Sequence, residues 1–78
     1  MQSMADRIAE KGEQIYRERY QAEYEGKHPG KFVAILIDSG RAYVAGTAVE
    51  AMKAAQRADP NGFYYLLKVG ADAAYRIG

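Results

Sequence analysis

Hydrophobic and polar positions along residues 4–25 follow a helical period. At about 100° per residue, Met4, Ile8, Ile15 and Ala22 fall on one stripe, and Ala5, Ala9, Tyr16, Tyr20 and Tyr24 form a second beside it. Arg7, Glu10, Gln14, Arg17, Glu18, Gln21 and Glu25 occupy the opposite side. The spacing predicts one long helix over 4–25, ended by Gly26, with Lys27-His28-Pro29-Gly30 as a loop. The combined apolar arc is wider than the roughly 100° stripe that seats a helix on one core, so one stripe has a surplus to bury.

The pattern then changes period. Phe32-Val33-Ala34-Ile35-Leu36-Ile37 is apolar on both faces, which predicts a strand over 31–37 in the middle of a sheet. Asp38-Ser39-Gly40 is turn chemistry, with Gly40 free to take positive φ, and 41–46 reads as the returning strand of a hairpin. Thr47-Ala48-Val49-Glu50 fits a capping box: the Thr47 hydroxyl accepts from the Glu50 amide, and the Glu50 carboxylate reaches back to Thr47. A helix over 48–58 follows, stopped by Asp59-Pro60-Asn61-Gly62, and 63–69 is a third strand. The tail from Gly70 to Gly78 has room for a further edge strand.

The expected fold is therefore α+β, in the order α-β-β-α-β, as a single domain over 1–78. A long N-terminal helix and one shorter packing helix flank a three-stranded antiparallel sheet of order 2-1-3. Residues 1–3 read as an expression remnant ahead of a start at Met4, outside the fold.

Composition narrows the chemistry. The 78 residues contain no Cys and one His, which removes disulfides, thiolate metal sites and paired-His sites. No cofactor or metal is expected. The longest apolar run falls far short of the roughly 20 residues a membrane-spanning helix needs, and no secretory signal is visible, so the expected location is the cytoplasm. Net charge is +1; residues 1–26 carry four basic against six acidic side chains, residues 27–78 seven against four. That asymmetry suits head-to-tail contacts between copies as well as a weakly basic face.

Candidate chemistry is sparse. Ile35-Leu36-Ile37-Asp38-Ser39-Gly40 resembles the apolar-Asp-Ser/Thr-Gly signature of aspartic proteases, but it leads straight into a hairpin and a capped helix, and the turn reading of Asp38 and Ser39 suffices. His28 is a possible general base with no second catalytic type beside it in sequence. No phosphate-binding Gly-Lys-Ser/Thr occurs, and no catalytic residue is assigned. Seven tyrosines are the unusual feature. Tyr16, Tyr20 and Tyr24 are the candidate interface of a homodimer, left partly bare if the helix seats its other stripe on the sheet. A rival single-stranded nucleic-acid site would use Arg17, Arg19, Tyr64 and Lys68, with Tyr16 and Tyr20 as stacking rings. The acidic Glu18, Glu23 and Glu25 on the same helix weigh against it.

Residues 30–35 (Gly-Lys-Phe-Val-Ala-Ile), Val44-Ala45-Gly46-Thr47, Phe63 to Gly70 and the ending Ala74-Tyr75-Arg76-Ile77-Gly78 carry a resemblance. Over about Ile15 to Gly78 the chain resembles a group of short bacterial and archaeal αββαβ proteins of unknown function, which implies no activity and no catalytic residue. Over 32–69 the hairpin followed by Gly46-Thr47-Ala48-Val49-Glu50-Ala51-Met52 is similar to the HicB-type antitoxin domain. That is a partial ribonuclease-H-like unit that masks a small toxin, and it implies an antitoxin-like regulator. The residues and these resemblances lead to one expectation. It is a non-catalytic, self-associating protein-interaction module, with a possible protein partner encoded nearby; nucleic-acid binding is the alternative.

Overall fold

A computed structural model of the chain describes residues 3–70. Its elements follow the order read from the sequence: α1 (Met4–Ile15), a π-helical segment (Tyr16–Tyr20), α2 (Gln21–Lys27), β1 (Phe32–Leu36), β2 (Ala42–Ala45), α3 (Ala48–Ala58) and β3 (Tyr64–Lys68). The sheet is antiparallel throughout, with order β2-β1-β3. The α+β architecture and the central place of the most apolar strand are as expected. The edge strand expected within the tail concerns residues 71–78 and lies outside the described residues.

β1 is central because it has two faces to bury. Val33 and Ile35 pair with Leu67 and Tyr65 of β3, and together with Val69 they form the core under the N-terminal helices. Ala34 and Leu36 pair with Leu66 and Tyr64 and form a second core with Ala51 and Ala55 of α3. α3 begins as the capping box requires, with the Thr47 hydroxyl accepting from the Glu50 amide at 3.2 Å. The reciprocal contact is made as well: the Glu50 carboxylate reaches back to Thr47 and accepts from its hydroxyl at 3.0 Å.

The N-terminal helix departs from expectation at both ends and in the middle. Ser3, read as outside the fold, is its N-cap and accepts from the Asp6 amide at 3.2 Å. The helix passes through Gly26 and ends at His28 instead, where φ −131° and ψ 46° break the helical run. Pro29 explains the position, because its ring disfavours helical backbone in the residue before it. In the middle, the Gln21 amide bonds to the Tyr16 carbonyl, five residues back, and Tyr20 leaves helical geometry at φ −123°.

That wider turn resolves the surplus of apolar surface. On an ordinary α-helix, side chains four residues apart drift by about 40° per step. A turn closed over five residues takes out part of this drift, so the Ile8–Gly12–Tyr16–Tyr20–Tyr24 row stays over the sheet. Both stripes thereby reach one core: Ile8, Ala9, Ile15, Tyr16 and Tyr24 are all buried in it, and Tyr20 packs against it.

Candidate functional site

The tyrosines of the helix form a ladder rather than a bare patch. Tyr20 stacks on Tyr24 with ring centres 5.2 Å apart, Tyr16 meets Tyr24 at 6.5 Å, and His28 sets its ring edge-on to Tyr24 at 5.3 Å. Tyr20 donates its hydroxyl to the Gly40 carbonyl at 2.6 Å, which ties the helix to the β1–β2 turn. Tyr16 and Tyr24 keep only 8 % and 9 % of their surface exposed. Of the three rings expected to be partly bare, Tyr16 and Tyr24 are instead rolled into the chain's own core, and Tyr20 stays part-buried against it. Burial raises the phenol pKa of both, with Glu25 and the Tyr24 phenol adding for Tyr16, and the Tyr20 phenol and Glu23 adding for Tyr24. The Tyr16 hydroxyl is buried with no hydrogen-bond partner among the described residues.

The residues of the rival nucleic-acid site do not share a surface. Arg17 and Arg19 are exposed on the helix that covers one face of the sheet. Tyr64 packs in the core on the opposite face, under α3, where desolvation raises its phenol pKa. Lys68 lies on that second face too, its ammonium 5.8 Å from the centre of the Phe32 ring. The sheet stands between the two pairs.

Asp38 and Ser39 sit exposed on the β1–β2 turn, with the Ser39 hydroxyl accepting from the Arg41 amide at 3.3 Å. Gly40 closes that turn at φ +75°, and the Arg19 guanidinium lies against it where a Cβ would stand. A cleft of about 180 Å³ opens there, lined by Lys11, Glu18, Arg19 and Asp38 among others. Its two cations and two carboxylates balance, which gives it no preference for an ion of either sign. His28 precedes β1 and Asp38 follows it, so the two candidate catalytic groups stand at opposite ends of that strand. Among the described residues no group of three His, Cys, Asp or Glu side chains could hold a metal ion. Among them, too, no helix is long and apolar enough to cross a membrane.

The expected sheet order already makes β3 an edge strand; what sequence reasoning missed is which of its backbone groups face outward. The Ile37 amide bonds to the Phe63 carbonyl at 3.1 Å and the Val69 amide to the Lys31 carbonyl at 2.8 Å. Odd-numbered residues of this strand therefore turn their backbone groups toward β1. By the alternation of an antiparallel ladder, Tyr64, Leu66 and Lys68 aim their N–H and C=O groups outward. Among the described residues no strand pairs with that side. The signal in the sequence is Lys68, a lone charge closing an apolar run, which is how natural edge strands are commonly marked. No protein-family model, curated protein or solved structure matches this chain.

Proposed function

We propose that this chain is a cytoplasmic, non-catalytic protein-interaction module that recruits a further β-strand to its sheet. The outward backbone of β3 carries the reading. A row of three amides and three carbonyls that no strand among the described residues pairs, on a strand whose side chains are already fixed in two cores, is a preorganised template for strand addition. An antitoxin-like regulator that masks a small toxin would be one instance of such a module.

Lys68→Pro tests the reading cleanly. It removes an outward N–H, leaves the ladder to β1 untouched, and suits the extended backbone of Leu67 before it. Proteins retained from host extract by the wild-type chain should be lost by Lys68→Pro, with the far-ultraviolet circular dichroism unchanged. A partner kept at full strength by the folded variant defeats the proposal.

A further inference from the structure

The outer edge of β3 fits a second copy of itself. An antiparallel partner must set outward-facing residues opposite outward-facing residues, so even numbers pair with even. A two-fold axis through Leu66 gives the register with the most such pairs: Leu66 opposite the partner's Leu66, and Tyr64 opposite the partner's Lys68, twice over. Each of these pairs exchanges two backbone hydrogen bonds, six in all by the alternation of the ladder.

The side chains agree with that register on both faces. On the α3 face, the partner's Lys68 comes beside Tyr64, so that its ammonium, already over its own Phe32, gains a second aromatic neighbour. On the other face, Phe63 comes opposite the partner's Val69. Phe63 is 47 % exposed, and in this register it gains an apolar neighbour across the junction. Every other register loses a pair or sets Lys68 against an apolar side chain. The opposite edge of the sheet competes poorly, because β2 spans four residues and only Ala42 and Val44 face outward.

We infer that the chain forms a two-fold dimer by antiparallel β3–β3 pairing centred on Leu66, joining two sheets into one of six strands. This rests on the strand-recruiting reading and names its partner as a second copy. Sedimentation equilibrium of the full chain at tens of micromolar should give the mass of two chains, and Lys68→Pro should raise the dissociation constant by about 30-fold or more, since each copy loses an interfacial bond. The register has its own readout. The chain has no Cys, so a nitroxide on Lys68→Cys is unique, and its Cα should stand about 14 Å from the partner's in dipolar spectroscopy. A distance far from this value in a dimer, or a dimer indifferent to Lys68→Pro, overturns the interface. A wild-type mass of one chain overturns self-pairing; if a host protein is still captured and lost with Lys68→Pro, the strand-recruiting reading survives without it.

Discussion

Gly12 of α1 lies directly over Tyr65 of β3. A Cβ at position 12 would stand 2.5 Å from Cγ and 2.7 Å from Cδ2 of the ring, and closer still to the Tyr65 Cβ. Tyr65 is fully buried there, and its hydroxyl runs out to the Glu13 carboxylate at 3.0 Å. The helix and strand thus touch backbone to side-chain root, which any larger residue would prevent. Alanine normally favours a helix over glycine by about 1 kcal/mol. Here that gain is outweighed, because the clash is with a root atom that no rotamer moves. Gly12→Ala should destabilise the fold by a net amount on the order of 1–3 kcal/mol, read as a lower urea midpoint. A midpoint at or above wild type would mean that α1 does not sit this close to the sheet.

Thr47 gives a second test, at the start of α3. Its hydroxyl accepts from the Glu50 amide and donates to the Glu50 carboxylate, so Thr47→Ala loses both. The expected cost is about 1 kcal/mol, and Thr47→Asp should restore most of it because a carboxylate can still cap the amide. Equal loss in both variants would show that the cap contributes little.

Sheet order and α3 are legible in the sequence for identifiable reasons. Only a central strand tolerates two apolar faces, as Phe32 to Ile37 has, and Thr47, Glu50, Asp59 and Pro60 punctuate α3 at both ends. The π-helical turn is not legible. Tyr16-Arg17-Glu18-Arg19-Tyr20 has the composition of an ordinary helix, and the wide turn answers a demand from the sheet below rather than a local preference. Gly12 is likewise silent, reading as a weak point in a helix until Tyr65 is placed under it. The candidate site is half legible: Lys68 marks an edge, but which backbone groups face outward depends on the pairing of β3 with β1.

Alkaline pH should unfold the chain through its buried phenols. Desolvation holds Tyr16, Tyr24 and Tyr64 above the ordinary value of 10.0. Each therefore keeps its proton in the folded state where the unfolded chain would release it. Their contribution is fully present below pH 10 and is lost as pH rises through the higher folded-state values. Urea midpoints should be insensitive to these groups near neutrality and fall above about pH 10. Phenolate absorbance should rise together with unfolding for these three rings. Full ionisation of all tyrosines with native circular dichroism intact would contradict their burial.

Two hydroxyl deletions on one helix should have opposite signs. Tyr16 and Tyr20 both meet Tyr24 in the same aromatic ladder, and Tyr→Phe removes a single oxygen from each while the ring stays. The Tyr20 hydroxyl bonds the Gly40 carbonyl at 2.6 Å, so Tyr20→Phe gives up a hydrogen bond and loosens the tie between the helix and the β1–β2 turn. That loss is expected to cost about 0.5–1.5 kcal/mol. The Tyr16 hydroxyl is buried without a partner among the described residues, which leaves it stripped of water with nothing in return from them. Leaving such a group unsatisfied costs about 1–3 kcal/mol, so Tyr16→Phe should raise stability by up to that amount. Paired urea titrations give the comparison directly, with the two midpoints moving to either side of wild type. If Tyr16→Phe is destabilised as much as Tyr20→Phe, the Tyr16 hydroxyl has a partner in solution. A further step would then locate it, since only an acceptor close to the ring could supply that bond: in Tyr16→Phe, the amide or side-chain resonances that shift most identify the group released.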